Sequence, residues 1–255
     1  MSTVLVRGTG DVGSAVASVL FRHGHGVVLH DAATPAHPRR GMAFVDALYE
    51  GTAELDGLVA KRARSLDALA PMLGCRGALP VTDAPIDVVV GTLRPDVVVD
   101  ARMRKRGAPD AMAGLAPLTI GLGPGFRAGV DVDVAIETQR GAALGAIVRA
   151  GPTRPLEGDP QPLGGHGRER FVYASAGGTF RTSRRIGERV LAGDIVGRVS
   201  DTDVVAPLAG CLRGLAHDGA WVRAGAKIVE VDPRGDAGVV RGLGERPRRI
   251  ALGVL

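Results

Sequence analysis

The chain has 255 residues, 45% of them hydrophobic and 23% charged, which fits a globular protein with one large core or two ordinary ones. Its formal net charge is +5, yet the 32 cations are 29 arginines and three lysines, and aromatic residues make up only 3%. With no dense basic stripe and so few stacking side chains, the composition argues against nucleic acid as the ligand.

Three other classes are set aside. No basic region precedes an apolar stretch at the amino terminus, so no signal peptide is expected. The apolar runs Val88–Val90 and Val97–Val99 are far too short to span a bilayer, so no membrane partner is expected. Cys75 and Cys211 are widely separated and suggest neither a disulfide framework nor a zinc site. The expected compartment is the cytoplasm, and no metal site is expected.

The strongest local pattern runs from Thr3 to Asp31. Val4, Leu5 and Val6 read as a buried strand that breaks into Gly8, Gly10 and Gly13, the pattern G-x-G-x-x-G. Val12, Ala15, Val16, Val19 and Leu20 then mark one apolar helix face, with Gly24 as its stop. Val27 to Leu29 give a second strand, and Asp31 follows 18 residues after Gly13, where an acid can accept from ribose hydroxyls. The glycines suit a tight turn, close approach to a phosphate, and close helix–sheet packing. The helix amino terminus with Asp11 adds N–H groups for an anion. The pattern predicts a Rossmann-like βαβ unit binding NAD(P) or another adenine nucleotide.

Further along, prolines make Ala32–Pro38 a loop, and Arg40–Glu50 reads as a helix with Phe44, Val45 and Leu48 inward. Arg39 and Arg40 then sit at a helix start, where cations oppose the macrodipole unless an anion is near. A short helix is expected over Ser65–Leu73 and a strand over Ala78–Thr82, while Ile86–Leu93 reads as either strand or crossover helix. Arg94 to Ala101 is a continuously apolar strand with Asp100 at its carboxyl end, the edge where open α/β sheets bind ligands. Arg102, Arg104, Lys105 and Arg106 follow as a solvated basic segment. A second cluster, Gly121, Gly123 and Gly125, opens after Leu118–Ile120 and suits either a phosphate or pterin lining or a tight turn. Val130, Val132, Val134 and Ile136 alternate with acids as a half-buried strand ending at Glu137. Gly8, Gly10, Asp11, Gly13, Asp31, Arg39, Arg40, Asp100, Gly121, Gly123, Gly125 and Glu137 are the candidate cofactor-binding residues. No nucleophile–base pair is evident, and no catalytic residue is assigned.

The sequence divides into residues 1–150 as the nucleotide- or cofactor-binding domain, 151–167 as a Pro/Gly-rich linker, 168–233 as a small β domain, and 234–255 as a tail. The β domain holds an internal repeat: Ala174–Ser200 aligns without gaps to Ala206–Asp232 at an offset of 32 residues. Glycines and valines match throughout, as in Gly178/Gly210, Gly187/Gly219 and Val199/Val231. The repeat, with V-x-A-P-x-x-G from Val204 to Gly210, resembles the biotinyl/lipoyl-type barrel. Its hairpin Ser200–Asp203 has no lysine, and the domain's one lysine, Lys227, lies in the last strand region. No biotin or lipoyl attachment is expected. The fold class implied is α/β, a Rossmann-like domain with a mainly parallel sheet followed by an all-β biotinyl/lipoyl-like barrel.

Several motifs together resemble the accessory-protein family of selenium-dependent molybdenum hydroxylases. They are RGTGDVG (Arg7 to Gly13), RRGMAF (Arg39 to Phe44), YEG (Tyr49 to Gly51), PDVVVDA (Pro95 to Ala101), IGLGPGF (Ile120 to Phe126), AIETQRG (Ala135 to Gly141) and LGGHGRER (Leu163 to Arg170). Where the family runs R-G-H-x-L-G-R, this chain has RGAALGA, with Ala142 and Ala146. The resemblance implies a maturation role for a molybdenum hydroxylase, with a xanthine-dehydrogenase-like enzyme as client protein and the molybdenum cofactor as a second candidate ligand. The alternatives are a stand-alone NAD(P)-dependent oxidoreductase, against which the absence of a Y-x-x-x-K pattern speaks, and a non-catalytic scaffold.

Overall fold

The computed structural model describes residues 1–104, 109–155 and 158–255. Lys105 and Arg106 of the basic segment, and residues 156 and 157 of the expected linker, lie outside the described residues. The first elements are β1 (Thr3–Arg7), α1 (Asp11–Arg22), β2 (Gly26–His30), α2 (Ala47–Glu50), β3 (Thr52–Leu55), β4 (Leu58–Arg62), α3 (Leu69–Cys75) and β5 (Leu79–Thr82). Next come α4 (Ile86–Leu93), β6 (Val97–Asp100), β7 (Leu118–Leu122), β8 (Arg127–Ala128), β9 (Val134–Ile136), β10 (Ile147–Val148) and β11 (Gly151–Pro152). The second half holds β12 (Phe171–Tyr173), β13 (Gly178–Arg181), β14 (Arg189–Val190), β15 (Ile195–Val199) and β16 (Thr202–Val205). It closes with β17 (Gly210–Leu215), β18 (Trp221–Val222), β19 (Lys227–Asp232) and α5 (Glu245–Val254).

The expected fold class is corrected in both halves. In place of a Rossmann-like domain with a mainly parallel sheet there is one nine-stranded mixed sheet, in the order β10-β9-β7-β6-β1-β2-β5-β4-β3. Both edges are antiparallel, β3 on β4 and β10 on β9. The edge hairpin β3–β4 turns on Asp56-Gly57, both at positive φ, the left-handed pair that two-residue hairpins require. Inside these edges the strands run parallel, with β1 between β2 and β6. Ile86–Leu93 resolves as a helix, as its place between two parallel strands demands.

Two further expectations are corrected. The helix over 40–50 is broken: Arg40–Met42 is one 3-10 turn, and the α-helix covers Ala47–Glu50 alone. The alternating stretch from Val130 is not one strand, because Asp131 accepts from the backbone and guanidinium of Arg127 and fixes a turn. Val130 is therefore exposed, and pairing in the large sheet begins at Val134.

In the second half the strands form two separate four-stranded antiparallel sheets, β12-β19-β17-β14 and β16-β15-β13-β18, and no biotinyl/lipoyl-like barrel is shown. The 32-residue offset carries β12 to β15 onto β16 to β19, and so carries one sheet onto the other. Each repeat lends its short middle strand to the other's sheet: β14 pairs with β17, and β18 with β13. Neither copy has a complete sheet alone, so the core of Phe180, Val196, Leu212 and Val229 is shared. The carboxyl-terminal helix docks on the first unit against α1 and buries Ile250 and Ala251 completely. Among the described residues no helix is long and apolar enough to cross a membrane.

Candidate functional site

The glycine-rich turn is tightly built. Gly8 has φ +114° and donates its N–H to the His30 carbonyl at 2.7 Å. A Cβ on Gly13 would lie 1.9 Å from the Gly8 carbonyl oxygen, so the third glycine is required by helix–strand contact. Gly10 differs: a Cβ there would meet the His37 ring at 2.9 Å. The N–H of Asp11 donates to His37 Nε2 at 3.3 Å, so the chain's own imidazole covers the amino terminus of α1. Asp31 is engaged as well. Its Oδ2 accepts from the Thr9 N–H at 2.7 Å and the Thr9 hydroxyl at 2.9 Å, and its Oδ1 accepts from the Ala32 N–H.

The other candidates separate. Arg40 is held by Asp46 at 2.6 and 3.1 Å. Asp100 is buried and bound by Arg102, with Arg7 at 3.9 Å. Gly121 lies under the Phe126 ring, where a Cβ would fall 2.4 Å from Cγ, while Gly123 and Gly125 have φ of +110° and +93°. This cluster is a turn that seats an aromatic side chain. Glu137 is buried and accepts the N–H groups of Gln139 and Arg154 at 2.7 and 2.9 Å, pinning the strand end.

Asp11 and Arg39, by contrast, come together on the wall of a cleft of about 580 Å³. Arg39 donates to Asp11 at 3.1 Å and, through two nitrogens, to Glu230 at 2.8 and 3.1 Å. Glu230 is fully buried and also takes Arg170 and Lys227, with Arg213 at 3.4 Å. The cleft is also lined by Arg140, Arg213, Arg246 and Arg249, so five arginines face two carboxylates, Asp11 and Glu245. Arg246 donates to the Thr138 carbonyl at 2.8 Å. The Arg140 guanidinium makes no hydrogen bond or ion pair with a described residue. The Nε of Arg213 is buried without a hydrogen-bond partner.

Electrostatics follow from this crowding. Burial lowers the pKa of Arg140, Arg213 and Arg246, and the nearby Arg39 cation lowers each further. Burial alone would raise the Asp11 carboxyl, but Arg39 and then His37 pull it down to about 2. Its folded pKa lies below the ordinary carboxylate value of 3.8, so Asp11 contributes stability above pH 3.8, lost as pH falls through about 2. The contribution is on the order of 2 kcal/mol. Urea unfolding between pH 2 and 5 is expected to show stability rising with pH, and Asp11→Asn should flatten that rise. An unchanged slope in the variant would remove Asp11 from the account.

Sequence reading pointed to Asp11 and Arg39 but left Arg213, Glu230 and Arg170 outside the site. Glu230 and Asp232 alternate with valines, the pattern of a half-exposed strand, yet both are fully buried. Arg39 of the first unit covers Glu230, beside the Leu215 N–H that donates to the Pro38 carbonyl at 2.7 Å, while Arg213 and Arg234 cover Asp232. Among the described residues no group of three or more His, Cys, Asp or Glu side chains is placed to hold a metal ion.

No family model matches the chain. It is 36% identical over 252 residues to the uncharacterized protein YqeB of Escherichia coli strain K12, a match covering 99% of this chain and 46% of YqeB. The chain thus spans about half the length of this relative. Among solved structures, a succinylglutamate desuccinylase from a Silicibacter species aligns at 16% identity and a TM-score of 0.26, over 90% of this chain and 84% of that one. A succinylglutamate desuccinylase/aspartoacylase from Rhodobacter sphaeroides aligns at 14% and 0.28, over 90% and 85%. The proteins named here are an uncharacterized protein and structures of the desuccinylase/aspartoacylase kind, and none of them is an accessory protein of a molybdenum hydroxylase. The expected family, its selenium and xanthine-dehydrogenase associations, the maturation role and the hydroxylase client are corrected accordingly. The oxidoreductase and scaffold alternatives go with them. At these TM-scores no hydrolase chemistry is carried over to this chain.

Proposed function

We propose that this chain binds a small phosphate-bearing ligand, with an adenine nucleotide as the first candidate, in the arginine-lined cleft. The observation that carries the reading is the concentration of five arginines on one cleft, where Arg140 has Glu245 as its nearby countercharge but no hydrogen bond or close ion pair among the described residues. Asp11 and Glu230 hold Arg39, and Glu230 and Asp232 hold Arg213, so the charge left to recognise an anion is that of Arg140, Arg246 and Arg249. A volume of about 580 Å³ suits a small molecule. The phosphate position in this reading is the cleft and not the turn above Gly10, which His37 fills.

The test is calorimetric titration with ADP of the wild-type protein and of the double variant Arg140→Gln/Arg246→Gln. Charge-assisted hydrogen bonds contribute about 1.5–3 kcal/mol each, so affinity should fall at least about tenfold while the melting temperature stays near wild type. No saturable ADP binding to the wild type, or equal affinity in the double variant, would contradict the proposal.

A further inference from the structure

The lining of the same cleft is not uniformly charged. Met42, Leu144, Leu163 and Pro247 share it with the arginines. A site meant for a bare inorganic anion has no use for such side chains, because a phosphate or sulfate ion keeps its unpaired oxygens in water or on donors. The volume points the same way, since about 580 Å³ far exceeds what one tetrahedral anion fills.

The two kinds of side chain arrive interleaved on shared segments, Arg39 with Met42, Arg140 with Leu144 and Arg246 with Pro247. The cations come from Arg39, the loop after β9, β17 and the start of α5. Met42 closes the 3-10 turn that follows Arg39, Leu144 belongs to the β9–β10 loop, and Leu163 stands ahead of β12. Met42 is almost wholly buried and Leu144 packs on the main core, so these apolar positions are held in place before any ligand arrives. Arginine planes stack on flat π-systems as well as pairing with phosphate. An aromatic body beside the phosphate would meet both the apolar side chains and the guanidinium faces.

Resting on the anion-binding reading above, we propose that the cleft selects organic phosphates carrying a planar aromatic body and discriminates against inorganic phosphate. Arg140 and Arg246 take the phosphate, and Met42, Leu144 and Leu163 take the body. The aliphatic residues then set specificity, while the arginines supply the charge recognition common to any phosphate.

The experiment compares phenyl phosphate with inorganic phosphate by calorimetry on the full chain, in the wild type and in Leu144→Ser/Leu163→Ser. Phenyl phosphate is expected to bind at least about tenfold more tightly than inorganic phosphate to the wild type. The double variant should lose most of that advantage with its affinity for inorganic phosphate unchanged. A melting curve and circular dichroism spectrum matching wild type establish that the variant is folded, and Leu163→Ser alone serves if the double variant is not. Equal affinities for the two probes in the wild type would overturn the selection while leaving the anion cleft intact. An advantage that survives in the folded variant would also overturn it. If neither probe binds, the anion-binding reading fails and the selection falls with it.

Discussion

Glu230→Gln lowers the unfolding free energy by about 3–5 kcal/mol, the loss expected when one member of a buried ion network is removed. Glu230 is fully buried, and its oxygens are shared among Arg39, Arg170 and Lys227, with Arg213 in ion-pair range. Each cation lies close to this one carboxylate, and Arg170 is itself almost fully buried, at 2% exposure. Glutamine keeps the shape but not the charge, leaving guanidinium groups facing one another in a partly dry junction. Because residues 39 and 230 belong to different halves of the chain, the loss also loosens their contact. Urea denaturation measures this directly, as a fall in the midpoint. A change below about 1 kcal/mol would mean that water reaches the junction and solvates the cations in place of Glu230.

Gly13→Ala has a comparable effect through a different cause. The added Cβ would lie 1.9 Å from the Gly8 carbonyl oxygen and 2.9 Å from its carbon. Gly8 has little room to retreat: its N–H is tied to the His30 carbonyl, and even a Cβ on Gly8 would meet the Ala101 backbone at 3.0 Å. The helix must therefore lift from the sheet across a core that includes Val12, Val16 and Leu20. Overpacking of this kind costs about 1–3 kcal/mol where side chains yield, and more where backbone must move. Gly24→Ala is the control, since Gly24 has φ +93° but open space around its Cβ position and should lose only about 1 kcal/mol. Thermal melts of the two variants should differ by several degrees. Equal melting temperatures would show that the α1–β1 contact is looser than described.

The local unit around these glycines was legible because its signals are local. An apolar run, three spaced glycines and a helix face all fall within thirty residues, and β1, α1 and β2 form there. What Asp31 does was not legible, because spacing identifies an acid at a strand end but not that Thr9 already donates twice to its Oδ2 and Ala32 once to its Oδ1. The same holds at Gly10, where His37, beyond the second strand, fills the expected phosphate position. The β3–β4 hairpin carried a readable mark, Asp56-Gly57 between apolar segments, and the mixed character of the sheet follows from it. The exchange of β14 and β18 between the repeats is a matter of long-range pairing, which self-similarity in sequence signals but does not specify.

The cleft was the least legible feature. Asp11, Arg140, Arg213 and Arg246 stand on four segments separated by tens of residues, and an arginine-rich composition hides any one of them. Only the docking of α5 on α1, and of the second half on the loop after β2, brings them together. Arg246 stands beside Arg248 and Arg249 in the carboxyl-terminal segment, but the Thr138 carbonyl it donates to lies more than a hundred residues away.

The most direct measurement is a crystal structure of the protein grown with ADP. The account predicts the diphosphate between Arg140 and Arg246, with the adenine ring against Leu144 and Leu163 and with His37 still covering Gly10. Phosphates seated over Gly10 with His37 displaced, or a cleft holding no nucleotide at saturating ADP, would contradict it.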